Sequence, residues 1–79
     1  MKTIEPEDKE WRIRPYSKKE LAQAYAPDIS AGAALNRLAQ WINLNTALRQ
    51  ALDEAGYRTC QRMFTSRQTE LIFRYLGTP

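Results

Sequence analysis

The stretch SKKELAQAYAPDISAGAALNRLAQWI, residues 17–42, carries two amphipathic helices and the turn that joins them. Ser17 followed by Glu20 has the form of a capping box, so a first helix is predicted to begin at Ser17. Pro27 ends that helix, because proline lacks the amide hydrogen that a helix interior uses. The residues that follow Pro27 form a turn into a second helix.

The second helix of this stretch has a clear apolar side. Ser30 or Asp28 can act as its N-cap, since both side chains accept hydrogen bonds from backbone amides. Its apolar residues follow the i, i+3, i+4, i+7 spacing of a buried helical face: Ala31, Ala34, Leu35, Leu38, Trp41 and Ile42. The opposite side is mainly polar and carries Ala33, Asn36, Arg37, Gln40 and Asn43.

Two further helices are predicted downstream, each with signals at its ends. Asn45 is placed to cap a third helix, and Gly56 to end it in the left-handed conformation. Thr65 followed by Gln68 forms a second capping box, and Gly77 ends the fourth helix. The four helices together account for most of the chain.

Two segments outside the helices have some of the properties of strands. The segment WRIRPY, residues 11–16, alternates in polarity and is predicted to be a short edge strand. Its counterpart is YRTCQRMF, residues 57–64. The predicted fold is therefore mainly α: a compact four-helix domain with a helix-turn-helix-like first pair and a small two-stranded sheet or wing.

The chain divides by charge into two parts. Residues 1–10 hold four acidic side chains and two lysines, and are predicted to be an acidic, mobile tail. Residues 11–79 are predicted to form a single helical domain, in which ten Lys or Arg outweigh five Asp or Glu. A chain of 79 residues has room for one small core. A net charge of +5 in the folded part suits a polyanionic partner such as DNA.

Composition weighs against catalysis. The single cysteine, Cys60, cannot form an internal disulfide, and without histidine the chain lacks common zinc ligands and the usual imidazole base. We therefore expect no catalytic residue, metal, cofactor or small-molecule substrate, and the chain is not predicted to be an enzyme. No apolar run is long enough to span a membrane, and the first residues do not have the pattern of a signal peptide. The expected location is cytoplasmic.

The first two helices have the features of a helix-turn-helix, whose second helix enters the major groove of DNA. Its outward side offers Asn36, Arg37 and Gln40 as base-contacting residues, because these side chains suit hydrogen bonding to purine edges. Phosphate contacts are predicted for the cations Lys18, Lys19, Arg58, Arg62 and Arg67. The alternative is that this polar side simply faces water, as in any amphipathic helix.

The segment GYRTCQRMFTSRQTELI, residues 56–72, resembles the second half of the mercury-resistance type of regulators and the related excisionases. In those winged domains a Gly-Tyr-Arg turn leads through a wing to an aromatic residue and a capped helix. Gly56, Tyr57, Arg58 and Phe64 occupy the corresponding places here. The resemblance implies phosphate contacts from Arg58 and Arg62 in the wing. A third helix between the reading helix and this turn departs from their pattern.

A longer resemblance covers residues 16–79. The chain is similar to an uncharacterised family of small gut-bacterial proteins, known as a domain of unknown function. The similarity lies in YSKKELAQAYAP, AALNRLAQWI, LDEAGYR, FTSRQTELI and the terminal LGTP. Family members occur near genes for nucleoid-type DNA-binding proteins and for cell-wall amidases, in mobile or surface-polysaccharide regions. The resemblance implies a DNA-associated role only through these neighbouring genes. It implies no catalytic residue.

The fourth helix suggests a different function. Leu71, Ile72 and Tyr75 suffice to pack it on the other helices, which leaves Phe73 and Leu76 without a place in a small core. These two residues are predicted to form a homodimer interface, or the binding surface of a protein-interaction adaptor. The alternative is that the WRIRPY segment and the N-terminal tail cover Phe73 within one chain.

Overall fold

The computed structural model describes residues 11–79, and the acidic tail predicted for residues 1–10 lies outside this range. In chain order the described elements are β1 (Tyr16–Ser17), α1 (Lys18–Tyr25), α2 (Ala31–Leu44), α3 (Thr46–Glu54), β2 (Met63–Phe64) and α4 (Ser66–Leu76). The prediction of a mainly helical fold with four helices and a small two-stranded sheet is confirmed.

Side chains that cap the backbone set the helix starts: Ser17, Ser30, Asn45 and Thr65. Each accepts a hydrogen bond from the amide three residues on, as predicted. Ser30 rather than Asp28 therefore caps α2. In α4 the capping box is complete, because the Thr65 amide also donates to Gln68 Oε1 over 3.1 Å.

The capping box predicted for α1 is only half formed. The Glu20 amide donates to Ser17 Oγ over 2.9 Å, which satisfies one free amide of the first turn. The Glu20 carboxylate instead lies 3.5 Å from Arg14 Nη2. The arginine draws the carboxylate away from the Ser17 amide, so α1 begins with a cap and an ion pair.

The sheet is shorter than the sequence predicts. β1 and β2 are antiparallel, with Tyr16 opposite Phe64. Residues 11–15 do not extend β1. Pro15 has no amide hydrogen to donate to a neighbouring strand. In addition, the Tyr16 hydroxyl donates to the Arg12 carbonyl over 2.9 Å, which bends the preceding segment back on itself.

The core lies between the four helices and the small sheet. Its buried apolar side chains come from every element and from the loop before β2: Tyr16, Leu21, Ala22, Ala26, Ala34, Leu38, Ile42, Leu48, Leu52, Tyr57, Phe64, Leu71, Ile72 and Phe73. The rings of Tyr57 and Phe64 are stacked with centroids 5.9 Å apart. These contacts attach the segment between α3 and α4 to the helical part of the fold.

The packing of α4 differs from the prediction. Phe73 was expected to lack a place in the core, but it is only 9% exposed, and its ring lies 6.1 Å from that of Tyr16. Trp11 continues this aromatic row at 5.7 Å from Tyr16. The WRIRPY segment therefore packs over Phe73 within one chain through Tyr16 and Trp11. The N-terminal tail, which the alternative named with it, lies outside the described residues. Conversely Tyr75, expected to face the core, is 42% exposed.

Trp41 is a second correction on the apolar side of α2. It was expected to face the core, yet it is 36% exposed. The buried row is Ala34, Leu38 and Ile42, which are spaced by four residues. Trp41 lies about 60° from the middle of this row on a helical projection, and packs edge-to-face on Tyr25 with centroids 6.0 Å apart.

Within residues 11–79 no helix is both long and apolar enough to cross a membrane.

Candidate nucleic-acid interface

The outward side of α2 is an open polar surface. Asn36, Arg37 and Gln40 are all exposed and line one shallow hollow, together with Ala39 and Asn43. The hollow forms because residues three and four apart are neighbours on a helix surface. Arg37 makes none of the ion pairs found within residues 11–79. The structure therefore brings the three predicted base-contacting side chains together, with their polar groups available.

Beside this surface runs a groove between α1, α2 and the loop before β2. We call it the basic groove, and six of its lining residues define it: Lys18, Lys19, Leu35, Ala39, Arg62 and Phe64. It has a volume of about 490 Å³ and opens to solvent. Ala39 borders both the groove and the polar surface of α2. Three of the five predicted phosphate-contacting residues thus lie next to the predicted base-contacting residues.

Lys18 is held in place in the wall of the basic groove. Its ammonium group donates to the Thr59 carbonyl over 2.9 Å and lies 5.2 Å from the centre of the Tyr57 ring. Its backbone amide donates to the Arg62 carbonyl over 2.8 Å. These contacts join the start of α1 to the loop before β2, so Lys18, Lys19 and Arg62 line the same groove.

Two glutamines fix the loop that carries Arg58 and Arg62. Gln61 Oε1 accepts from the Arg58 amide over 2.9 Å, and Gln61 Nε2 donates to Gln68 Oε1 over 2.6 Å. Gln68 is 1% exposed, and its Nε2 donates to the Ala55 carbonyl over 3.1 Å. The sequence pattern identified Gln68 only as a cap and did not identify Gln61. The position of Gln68 in the first turn of α4, beside the cap residue Thr65, was the one available signal.

The remaining predicted phosphate-contacting residues lie elsewhere. Arg58 is exposed in the loop but does not line the basic groove. Arg67 lies in the first turn of α4, where its guanidinium is 3.5 Å from the Glu70 carboxylate. Glu70 also pairs with Arg74 at 3.5 Å, as predicted. Because Arg67 already has an acidic neighbour, its charge is partly neutralised.

An apolar surface is present apart from the basic groove. We call it the Trp41 patch, and it consists of Trp41, Leu44, Ala47 and Leu76. Leu44 is 80% exposed, the largest exposed fraction among the bulky apolar side chains of residues 11–79. Leu76 is half-buried, so this predicted interface residue does reach the surface, whereas Phe73 does not. The Trp41 patch is thus one exposed apolar surface, to which α2, α3 and α4 contribute.

Tyr25 lies next to the Trp41 patch. Its hydroxyl donates to the carbonyl of Gly77, which joins the end of α1 to the end of α4. Burial raises the pKa of Tyr25 from 10.0 to about 12, because desolvation disfavours the phenolate.

The described residues hold no cluster of three or more side chains that could bind a metal ion, and Cys60 is exposed.

Fold and site together define a small, mainly helical domain with a basic groove beside an exposed polar helix face. The family described as "Domain of unknown function (DUF4248)" matches residues 12–79, and the chain belongs to this family. The resemblance to an uncharacterised family is thereby confirmed. No curated protein and no solved structure gives a significant match to the chain.

Proposed function

We propose that this protein binds double-stranded DNA, with α2 in the major groove and the loop before β2 contacting the phosphate backbone. One observation carries the proposal. The hollow lined by Asn36, Arg37 and Gln40 shares Ala39 with the basic groove, which holds the cations Lys18, Lys19 and Arg62. Base contacts need donors and acceptors on an exposed helix face, and the docking of that helix needs flanking positive charge.

The distribution of carboxylates supports the same function. Residues 11–79 contain five Asp or Glu, and none of them lines the basic groove or the polar surface of α2. Three are held in ion pairs with arginines: Glu20, Asp53 and Glu70. A simple solvated face would more often mix both signs of charge. The absence of acids from this side suits the approach of a phosphate backbone.

The resemblance to mercury-resistance regulators and excisionases is consistent with this proposal. In this chain the segment before the capped helix α4 pairs with β1, and the loop carries Arg58 and Arg62. We infer that these arginines act as wing contacts to phosphate. The helix-turn-helix role of α1 and α2, the bacterial source and the cytoplasmic location belong to the same proposal.

Titration with DNA at several salt concentrations tests the proposal. A sequence selected from a random pool should bind more tightly than bulk DNA, with affinity that falls as salt rises. Arg37→Ala should cost roughly 1–3 kcal/mol of discrimination between the selected sequence and bulk DNA, because a good bidentate arginine contact supplies about that much. The circular dichroism spectrum should not change, since Arg37 is exposed. Equal discrimination in the variant and the parent would contradict a base-contacting role.

The wing is tested by charge removal with a matched control. Arg58→Ala and Arg62→Ala should each weaken all sequences about equally and reduce the salt slope by about 1. Arg74→Ala removes the same charge from α4, where the arginine is exposed and paired with Glu70. This control should leave the salt slope unchanged. If Arg74→Ala flattens the slope as much as the loop variants, binding depends on overall charge rather than on this interface.

We further propose, as a second candidate, that the Trp41 patch mediates self-association or binding of a protein partner. The supporting observation is the exposure of Leu44 beside Trp41 and Leu76. Sedimentation equilibrium of the parent and Leu44→Glu provides the test for a homodimer, and the high exposure of Leu44 makes the substitution harmless to the core. A parent that stays monomeric at high micromolar concentration would rule out the homodimer.

A further inference from the structure

The basic groove has an apolar floor that DNA does not explain. The half-buried Leu35 and the exposed Ala39 line the groove from α2, and the core residues Phe64, Leu38 and Ile42 lie behind them. A volume of about 490 Å³ lies within the range of about 300–1,000 Å³ that is typical of ligand sites. Phosphate contacts would engage only the cations at the rim. The floor therefore suits a ligand that has apolar groups as well as negative charge.

The charge of the rim narrows the class of ligand. Lys18, Lys19 and Arg62 line the groove, and no carboxylate of residues 11–79 lines it with them. Neither Lys19 nor Arg62 takes part in the ion pairs found within residues 11–79. Three cations exceed the charge that one fatty-acid carboxylate could neutralise. A ligand with several carboxylates would match the three cations better. A peptide with acidic residues spaced along its length is such a ligand.

We propose that the basic groove binds an acidic amphipathic helix from a partner protein. A few leucine-sized side chains of that helix, spaced i, i+4 and i+7, fill the groove against Leu35 and Ala39, as in other helix-in-groove complexes. Carboxylates on the flanks of the helix pair with Lys19 and Arg62. Lys18 is already oriented by its bond to the Thr59 carbonyl, so little ordering is needed at this wall when the partner binds.

The test uses the full chain and synthetic peptides, without DNA. The probe is a helical peptide of about 14 residues, long enough to be partly helical alone. It carries leucine at the three anchor positions and alternating glutamate and alanine elsewhere. One control peptide has the same composition in scrambled order, and another has lysine in place of glutamate. Amide chemical shifts of the labelled protein should move at Leu35, Ala39 and Phe64, and both controls should bind at least about tenfold more weakly.

Two matched variants locate the site on α2. Ala39 and Ala33 are both exposed on this helix, but only Ala39 lines the groove. Ala39→Glu puts a carboxylate at the groove edge and should weaken the acidic peptide about tenfold or more. Ala33→Glu makes the same change of charge away from the groove and should stay within about twofold. Equal losses in the two variants, or equal binding of the scrambled peptide, would overturn the proposal.

Other occupants are separate outcomes of the same titration. One variant replaces the four acids of residues 1–10 with glutamine or asparagine. If this variant binds the peptide more than about tenfold more tightly than the parent does, residues 1–10 themselves occupy the groove and the partner proposal fails. A titration with laurate is the second comparison. If laurate shifts the backbone amide signals of the groove residues and binds more tightly than the peptide, the partner proposal would also be overturned. The result does not depend on the DNA titration: retained peptide binding with no DNA binding removes only the DNA function.

Discussion

Replacing Gln68 with methionine should destabilise the protein strongly, although the two side chains are similar in length. The Gln68 amide is buried at the centre of a hydrogen-bond network. Its Nε2 donates to the Ala55 carbonyl over 3.1 Å, and its Oε1 accepts from the Thr65 amide over 3.1 Å and from Gln61 Nε2 over 2.6 Å. Methionine keeps the packing of an unbranched side chain but makes none of these bonds.

The size of the effect follows from what each partner loses. The Thr65 amide loses half of the α4 capping box, which costs about 1 kcal/mol. The half-buried Ala55 carbonyl loses its hydrogen bond to Gln68, at a cost of roughly 1–3 kcal/mol. Gln61 loses less, because its Nε2 also donates to the Met63 carbonyl over 2.6 Å. The free energy of unfolding should therefore fall by about 2–4 kcal/mol.

Urea denaturation followed by circular dichroism and tryptophan fluorescence would measure this change. At about 4–8 °C per kcal/mol for a domain of this size, the melting temperature should fall by at least about 8 °C. Gln50→Met is the control, since Gln50 is exposed on α3 and its replacement should stay within about 0.5 kcal/mol. If the Gln68 and Gln50 variants are equally stable, the network does not hold the loop to α4.

Two other substitutions test single groups. Thr69→Val should raise the free energy of unfolding by about 1 kcal/mol, because the buried Thr69 hydroxyl has no hydrogen-bond partner among residues 11–79; a less stable variant in thermal melts would show that the hydroxyl is bonded. Tyr25→Phe should remove part of the alkaline loss of stability. The pKa of Tyr25 is raised to about 12, so the unfolded chain ionises first and the parent loses stability between about pH 10 and 12. Identical pH profiles in that range would contradict the assignment.

Local signals along the chain predicted the helix ends well. Ser30, Asn45 and Thr65 each cap the helix that follows, and Gly77 ends α4 with a φ of 83°. These features depend on hydrogen bonds between residues a few positions apart and on the freedom of glycine to adopt positive φ. Nothing distant in the chain is needed to form them, so the sequence alone identifies them.

Which side of each helix is buried was harder to predict, because burial depends on contacts between residues distant in sequence. Phe73 is buried by Tyr16, which comes from the other end of the described chain. On α2 the narrow row that includes Leu38 faces the core and leaves Trp41 at its edge. Periodicity identifies a broad apolar arc, but the neighbouring elements decide which part of that arc is covered.

The candidate interface likewise has one part that follows from local sequence and another that depends on contacts between distant segments. The exposure of Asn36, Arg37 and Gln40 follows from the helical period, and the sequence predicted it. The basic groove combines Lys18, Leu35 and Arg62, which come from three separate elements, so no pattern in one segment indicates it. Its depth depends on how the loop before β2 is held against α1, and the Gln61 side of the hydrogen-bond network had no recognisable motif.

The two proposed ligands make competing demands on the same cations. Lys18 is held by Thr59 and Tyr57, so Lys19 and Arg62 are the groups free to turn toward either a phosphate or a carboxylate. One cation cannot pair fully with both, and an occupied groove would place added negative charge beside the DNA backbone. We therefore expect the acidic peptide and DNA to exclude each other.

At a peptide concentration 100 times its dissociation constant, the apparent affinity for DNA should fall by about 100-fold, an effect of about 2.7 kcal/mol. Because Ala39→Glu should weaken peptide binding about tenfold, the same peptide concentration should lower the DNA affinity of this variant by only about 10-fold from its own peptide-free value. Unchanged DNA affinity at saturating peptide would mean that the α2 surface binds DNA without using the cations of the basic groove.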